Sequence, residues 1–285
     1  MNIIKLSVIS ALMLLTIACG KRVKDESEKQ KAEFAEILKT KNIASAENWL
    51  VQIIQSDTVS CESYNIASIF LRDLIESNNA TMNYPFNQLK NKGFLKITKS
   101  ADNNLKINAW NDRTGNYNGG FNHIIQYRSN GKIYCINYES IYCPECEQDE
   151  IFDCRGFELY TMQLNAQTYY LIECSYLKAA GWLGNRDISI YTMEHNKLVK
   201  QTLFKTSKEI FSEIGFEYSE PAYYDDFVKD NKNSGAFDLL FGYDDRYKII
   251  YVPLVNDLTI TDKNLLYQWD GKYFTYIGVE KGRRK

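Results

Sequence analysis

The chain has 285 residues, a formal net charge of -2 and 45% hydrophobic residues, so it is long and apolar enough to bury a core. This composition excludes wholesale disorder, and the near-neutral charge provides no general attraction to nucleic acid. The 21 tyrosines, 14 phenylalanines and only four prolines are typical of aromatic-rich antiparallel sheet.

Residues 1–18 have the pattern of a signal peptide. Lys5 precedes an apolar run, residues 6–17, that is too short to cross a bilayer of about 30 Å as a helix. The run closes on Thr16-Ile17-Ala18-Cys19, which resembles a bacterial lipobox and so implies cleavage after Ala18 and diacylation of Cys19. The alternative is an ordinary secretory signal with an incidental cysteine. We therefore expect a chain anchored to the lipid bilayer of the cell envelope through acylated Cys19, facing the periplasm or at the cell surface.

The first part of the mature chain is predicted to be a tether followed by helices. Residues 19–31 are polar and carry charges of both signs, which is typical of a tether. Residues 32–93 show apolar positions at helical spacing and predict a helical N-terminal segment. We predict Ser45 as the N-cap of one helix, Pro85 as the first residue of another and Gly93 as the residue that ends it.

From Phe94 onward the apolar period changes to two, so residues 94–280 predict an antiparallel β domain. The candidate strands fall into three groups of four: 94–98, 105–110, 122–128 and 132–138; then 157–163, 167–176, 186–193 and 198–204; then 237–242, 247–253, 263–269 and 272–278. Each group ends in a hairpin, turning at Asn130-Gly131, near His195-Asn196 and at Asp270-Gly271, the last predicted as a type I′ turn.

The predicted fold class is therefore α+β. N-terminal helices precede a mostly antiparallel β domain of three four-stranded meander units, arranged as open or coiled sheets or a sandwich. A propeller-like ring of the same units is the alternative. Insertions at 139–156 and 206–235 separate the groups.

This region contains several short sequence motifs: Tyr84-Pro85-Phe86, Gly131-Lys132-Ile133-Tyr134, Ile250-Tyr251-Val252-Pro253 and Tyr267-Gln268-Trp269-Asp270-Gly271-Lys272-Tyr273-Phe274. Together they resemble a group of uncharacterised secreted proteins and lipoproteins of Bacteroidota, over roughly residues 84–278. The resemblance implies a location in the cell envelope and a β architecture. It carries no activity and no catalytic residue that can be transferred to this chain.

The cysteines carry the most distinctive chemistry. Six of the seven remain if Cys19 is lipidated, and an even number in an oxidising compartment favours disulfides. Three interpretations stay open: a disulfide-stapled loop, a metal site and a redox dithiol, with unpaired thiols as the remainder. The residues concerned are Cys135, Cys143, Cys146, Cys154 and Cys174. Because a second Cys-x-x-Cys is missing, we favour disulfides and predict neither a metal nor a cofactor.

One polar loop is a candidate ligand site. Trp110, Asn111, Asp112, Asn116, Tyr117 and Asn118 combine aromatic rings with amides, which can read sugars or peptides through stacking and hydrogen bonds. A long flexible hairpin loop is the competing interpretation.

No catalytic residue is predicted, since the serine-hydrolase, zinc-protease and phosphate-loop motifs are missing from the sequence. His123 and His195 are expected to be surface or structural residues. The leading hypothesis is a non-enzymatic envelope lipoprotein that binds a protein or a glycan. The alternatives are an envelope carbohydrate hydrolase using paired carboxylates and an immunity-type lipoprotein against a toxin.

Overall fold

The computed structural model describes residues 29–30, 32–56, 61–111, 121–137, 156–178, 183–219 and 241–281. Within them, four α-helices lie at the N-terminal side: α1 (residues 32–39), α2 (Ile43–Ser56), α3 (Cys61–Ser77) and α4 (Asn87–Asn91). A 3-10 turn, Asn79–Met82, connects α3 with α4.

The helix ends show which side chains define them. Asn42, not Ser45, caps α2, because the Asn42 Oδ1 accepts a 3.1 Å hydrogen bond from the Ser45 amide. The prediction for Pro85 was also wrong, since α4 begins at Asn87 after a left-handed Phe86 at φ 48°. Gly93 follows α4 at φ 66°, a conformation that favours glycine, so it ends the helix as predicted.

A side chain from another helix replaces the missing cap of α4. The Glu47 Oε1 on α2 accepts hydrogen bonds from the amides of Gln88 at 2.8 Å and Leu89 at 3.1 Å. Its Oε2 accepts from the Tyr84 hydroxyl at 2.8 Å. Burial and this carboxylate raise the pKa of Tyr84 to about 12. A short helix with no local cap is thus held in place by a buried carboxylate at its N-terminus.

The remaining described chain is almost entirely strand. The strands are β1 (Leu95–Lys99), β2 (Leu105–Asn111), β3 (Phe121–Ser129), β4 (Lys132–Asn137), β5 (Gly156–Leu164), β6 (Gln167–Lys178), β7 (Leu183–Glu194), β8 (Lys197–Gln201), β9 (Phe204–Lys205), β10 (Ile210–Phe211), β11 (Glu213–Ser219), β12 (Gly242–Asp244), β13 (Ile249–Asn256), β14 (Thr259–Trp269) and β15 (Phe274–Lys281). Every pairing among them is antiparallel except that of β9 with β15.

The described strands form three open sheets, which confirms the predicted α+β class with meander units. Sheet A has the order β1-β2-β3-β4. Sheet B has the order β11-β7-β6-β5, with β8 also paired to β7, and sheet C has the order β10-β9-β15-β14-β13-β12. The strand β11 was missed in the predicted insertion 206–235. It pairs with the first half of β7 over residues 183–189, whereas β8 pairs with the second half over residues 190–194.

The helices and the three sheets are stacked as successive layers, with one apolar core between each layer and the next. The first joins the helices to one face of sheet A, with Leu50, Phe70, Leu71, Trp110 and Ile124 among its members. The second lies between the other face of sheet A and sheet B. The third lies between sheet B and sheet C, where Ile188 and Ile190 meet Val252 and Phe274. The order of layers is therefore helices, sheet A, sheet B and sheet C.

Tight turns close the meanders. Asn130-Gly131 and His195-Asn196 have positive φ at both central residues, as a type I′ turn requires, and so does Asn165-Ala166. The prediction for Asp270-Gly271 was wrong in detail: Trp269 pairs with Phe274, so the loop has four residues. The Asp270 carboxylate accepts hydrogen bonds from the Thr275 hydroxyl and from the amides of Tyr273 and Lys272, which lower the pKa of Asp270 to about 2. This carboxylate organises a wider turn than the dipeptide alone suggests.

Two turn substitutions are expected to have opposite effects. Ala166→Gly should raise the free energy of unfolding by about 1 kcal/mol, because a Cβ at positive φ is unfavourable, and Ala166 lies at φ 64°. Gly131→Ala should lower it by a similar amount, since Gly131 has φ 73° and no atom within 4 Å of the added Cβ. Urea denaturation of both variants measures the effect, and unchanged stability in both would contradict it.

Candidate functional site

The two ends of the sheet stack differ. One end, which we call the turn end, carries the turns Asn130-Gly131, Asn165-Ala166 and His195-Asn196 and the loop 270–273. The Asn196 Oδ1 accepts a 2.7 Å hydrogen bond from the Asn130 Nδ2, which ties sheet B to sheet A. The Asn165 Nδ2 donates to the Gly271 carbonyl at 2.8 Å, which ties sheet B to sheet C. The turns of adjacent sheets are thus joined directly.

The opposite end, which we call the loop end, collects the strand termini that flank the long connections. In an antiparallel meander the connections alternate between the two ends. The β2–β3, β4–β5 and β6–β7 connections therefore leave from the end opposite the turns. The termini concerned are Asn111, Phe121, Asn137, Gly156, Lys178 and Leu183. The ends of sheets A and B lie side by side here, because the His123 and Phe157 rings pack edge to face with centroids 5.6 Å apart.

Trp110 is not part of a ligand surface. Its side chain is 1% exposed and packs in the core between the helices and sheet A. The indole N–H donates a 2.7 Å hydrogen bond to the Ser68 Oγ on α3. This corrects the expectation that Trp110 would stack on a ligand. The side chain of Asn111 and residues Asp112, Asn116, Tyr117 and Asn118 lie outside the described residues, and the β2–β3 connection that carries them starts and ends at the loop end.

Two of the candidate cysteines can be placed. Cys174, on β6 near the loop end, is disulfide-bonded and lies in the core between sheets A and B. Cys135, on β4, has a free thiol on the opposite, helix-facing side of sheet A. Its Sγ donates to the Ile75 carbonyl at 3.6 Å, and burial raises the pKa of the thiol. The two cysteines therefore do not meet. Cys143, Cys146 and Cys154 lie outside the described residues.

A buried ion pair lies on the face of sheet B that turns toward sheet C. The Arg186 Nη1 on β7 donates to the Glu173 Oε1 on β6, and their side chains are 16% and 2% exposed. Burial raises the pKa of Glu173. Within the described chain, the Glu173 Oε2 and the Arg186 Nε have no hydrogen-bond partner. The pair is thus a charged group with little solvent contact and incomplete hydrogen bonding.

The surroundings of this pair are tightly packed. The Tyr218 ring on β11 lies 5.7 Å from the Arg186 guanidinium and covers Gly184. A Cβ on Gly184 would lie 2.4 Å from the Tyr218 Cζ, so only glycine leaves room for the ring. Glu158 on β5 is the direct cross-strand neighbour of Glu173. The one sequence signal for this site is the charge of Glu173 two residues after Leu171, on the same face of β6.

A second buried polar cluster lies between sheet A and the helices. The Lys106 side chain is fully buried, and its Nζ donates to the carbonyls of Thr81 at 2.7 Å and Tyr84 at 3.0 Å. Burial, with the nearby ammonium groups of Lys99 and Lys90, lowers the pKa of Lys106 to about 7. The Nζ also lies 5.0 Å from the Phe86 ring centroid. Because the amine binds backbone carbonyls and is out of reach of solvent, it holds the 3-10 turn against the sheet.

The two histidines have different positions. His123 is 4% exposed, and burial together with the charge of Arg72 lowers its pKa to about 4, so the ring is neutral at physiological pH. His195 lies in the type I′ turn at φ 49°. His123 is thus a structural residue of the loop end, and His195 is part of the turn end.

Three further searches concern metal-binding side chains, membrane-spanning helices and similar proteins. Among the described residues, no group of three or more His, Cys, Asp and Glu side chains is placed to hold a metal ion. None of the described helices is long and apolar enough to cross a membrane. Comparison with models of known protein families and with curated proteins finds no match to this chain.

Proposed function

We propose that this protein is a lipid-anchored binding protein of the bacterial envelope, held by acylated Cys19, that recognises a protein or a glycan without altering it chemically. The observation that supports the proposal most is the one-sided distribution of the connections. The strand termini that flank residues 112–120, 138–155 and 179–182 share the loop end. Binding residues are common on loops that a rigid scaffold gathers at one end.

The residue types in these connections suit recognition. Residues 112–120 supply Asn116, Tyr117 and Asn118, whose ring and amides can stack on and hydrogen-bond to sugars or peptides. Residues 138–155 supply the acidic run Glu145, Glu147, Asp149 and Glu150, which complements a basic partner. Both segments join strands at the loop end, so an aromatic and an acidic segment attach to the same end of the scaffold.

A carbohydrate hydrolase is the second candidate, and one observation favours it. Glu158 and Glu173 are cross-strand neighbours, and burial raises the pKa of Glu173, as a general acid requires. However, the Glu173 carboxylate forms an ion pair with Arg186. The Glu173 side chain is only 2% exposed, which leaves a substrate little access. We therefore favour binding over catalysis. The third candidate, an immunity-type lipoprotein against a toxin, is supported only by the proposed location in the cell envelope.

Lipid anchoring has a direct test. Cys19→Ala should move the protein from the membrane fraction to the soluble envelope fraction and abolish labelling with radioactive palmitate, because the acyl chains supply the membrane affinity. Cys135→Ala is the matched control: it removes the described free thiol and should leave both readouts unchanged. Equal partition of the Cys19→Ala variant and the unmodified protein would contradict the anchor.

Recognition at the loop end is tested on a panel of envelope glycans and envelope proteins. A variant with Asn116, Tyr117 and Asn118 replaced by serine should no longer bind the glycans or proteins that the unmodified protein binds. A variant with His195 replaced by serine at the turn end should keep them. Binding that survives the first variant would contradict the proposed site, and release of reducing sugar from a bound glycan would favour the hydrolase.

A further inference from the structure

The outer edge of β4, the last strand of sheet A, is open. Lys132–Asn137 pair with β3 on one side, and no other described strand lies along the other side. A two-residue turn at Asn130-Gly131 joins β3 to β4, so the residue pair that closes this turn exchanges backbone hydrogen bonds. Because the direction of the amides alternates along a strand, the N–H and C=O groups of Ile133 and Cys135 point away from β3. These groups are the ones that a further strand can bind.

The side chains of this edge are apolar and half-buried. Tyr134 and Ile136 pack toward the core between sheets A and B, and Cys135 packs toward the helices. Ile133 shares the face of Cys135, because side chains alternate along a strand. Lys132 is the one charged residue from 132 to 136. The edge therefore offers apolar side chains above and below an unpaired backbone.

Other edge strands of the described sheets have features that oppose pairing with a further chain. β1 lies against β5, where the Thr98 Oγ1 donates a 3.2 Å hydrogen bond to the Phe157 carbonyl. β10 and β12 have only two and three residues. β15 has a bulge at Ile277, and β8 and β11 each carry two charged residues. By contrast, β4 has six residues in one regular register with a single charge at its start.

We propose that the β4 edge pairs with the β4 edge of a second copy of this chain. The two strands are antiparallel, and a two-fold axis perpendicular to sheet A passes between the two Tyr134 residues. In this register Ile133 lies opposite the partner's Cys135, and the two symmetry-related pairs exchange backbone hydrogen bonds through their outward groups. The two tyrosines form an aromatic cross-strand pair. The proposed lipid anchor and the loop connections take no part in this pairing.

Charge favours a second copy of the chain as the occupant. Each Lys132 lies opposite the partner's Ile136, so the two lysines stand four residues apart along the ladder. At about 3.3 Å per residue this is a separation of about 13 Å. Charges at that distance in solvent are screened, because the Debye length is about 10 Å at 0.1 M salt. The edge is thus compatible with itself, and it carries no charge pattern that selects an acidic or a basic partner.

The order of the layers favours a second copy as well. Rotation about an axis perpendicular to sheet A leaves the helices on one side and sheet B on the other in both copies. The half-buried side chains on each face of β4 therefore meet apolar side chains of the same kind. A single extended peptide brings no covering layers and would leave these side chains half exposed.

Sedimentation equilibrium and amide hydrogen exchange of the full-length protein test the proposal. The paired segment is short, so we expect a weak dimer that forms over micromolar concentrations. The amides of Ile133 and Cys135 should exchange more slowly as the protein concentration rises, because they gain hydrogen bonds only in the dimer. The amides of Lys132 and Tyr134 are the internal control, since they are bonded to β3 in the monomer and should not change.

A proline variant tests the backbone contact. Ile133→Pro removes an outward N–H and no hydrogen bond to β3, so it should weaken the dimer at least about tenfold and leave the circular dichroism spectrum unchanged. Ile210→Pro is the matched control. Ile210 lies on the edge strand β10 of sheet C, and its amide also points outward, because the Thr206 amide bonds the Glu209 carbonyl one pair away. This variant should leave the dimer unchanged.

A charge variant tests the register. Tyr134→Lys places two ammonium groups directly opposite each other at the two-fold axis, so it should weaken the dimer, and high salt should restore part of the affinity. Tyr134→Phe is the matched control, because it keeps the ring that stacks on Tyr127 and should keep the dimer. The salt dependence separates this effect from a loss of folding, which salt at the same concentration would not reverse in proportion to the screening.

Three outcomes would overturn the proposal. The first is a protein that stays monomeric well above micromolar concentrations. The second is a dimer in which the exchange of the Ile133 and Cys135 amides does not slow, or which Ile133→Pro and Tyr134→Lys both leave unchanged, since either would place the interface on another surface. The third is a dimer that persists on a non-reducing denaturing gel and is lost in Cys135→Ser, which would assign it to an intermolecular disulfide.

Discussion

Arg186→Met is expected to lower the free energy of unfolding by about 3–5 kcal/mol, because it leaves the Glu173 carboxylate buried without its counter-charge. The Glu173 side chain is 2% exposed, so water cannot replace the guanidinium. The double variant Arg186→Met with Glu173→Leu should recover most of the loss, since both charges are removed together. Urea denaturation of the single and double variants measures both effects.

The effect should depend on pH. A carboxyl group whose pKa is raised by folding makes the folded state less stable as pH rises through the window between the unfolded and folded pKa values. Burial raises the pKa of Glu173, and removing Arg186 raises it further, so the loss should be smaller at acid pH than at neutral pH.

An exposed ion pair provides the control. Lys39 pairs with Glu36 on α1, and both side chains are 71% exposed. Lys39→Met should therefore cost no more than about 1 kcal/mol. A loss in Arg186→Met no larger than this would show that Glu173 tolerates the loss of its partner. No recovery in the double variant would show that the loss does not come from an uncompensated charge.

Lys106→Met is expected to lower the free energy of unfolding by about 2–3 kcal/mol at alkaline pH, because the Thr81 and Tyr84 carbonyls lose a buried donor. Folding lowers the pKa of Lys106 from 10.5 to about 7, so between these values the unfolded chain binds more protons than the folded protein. The contribution of this lysine to stability therefore rises with pH across that window and is smallest below pH 7. The difference between wild type and variant should grow as pH increases.

The control for this variant lies elsewhere on sheet A. Lys132 is the first residue of β4 and is exposed. Lys132→Met should change stability by no more than about 0.5 kcal/mol. Thermal unfolding of both variants from neutral to alkaline pH separates them. A loss in Lys106→Met that shrinks as pH rises would contradict the low pKa of the buried amine.

Much of the β architecture follows from local sequence. Alternating apolar residues from Leu95 onward predict the strands, because each strand covers a neighbouring sheet with one face. Asn130-Gly131 predicts its turn, since both residues accept positive φ. The strand β11 was missed although Ile214, Phe216 and Tyr218 recur at every second residue. It pairs with β7 rather than with a sequence neighbour, and a pairing over such a distance has no local signal.

The candidate site was less predictable for a related reason. Trp110 follows Lys106 and Asn108 on the same face of β2, and only the packing of α3 and α4 shows that this face is covered. The sequence also does not reveal that Lys106 meets two carbonyls of the 3-10 turn. The periodic pattern identifies which residues share a face, but which element covers the face is decided by tertiary packing.

The single row of layers has a consequence for the way the protein can come apart. Sheet B is covered on both sides, by sheets A and C, whereas sheet C has a described neighbour on one side only. When each layer touches only the next, opening the last one breaks a single interface and leaves the others intact. Sheet C can therefore open as a separate unit while sheets A and B and the helices stay folded, so we expect proteolysis of the native protein to begin in sheet C.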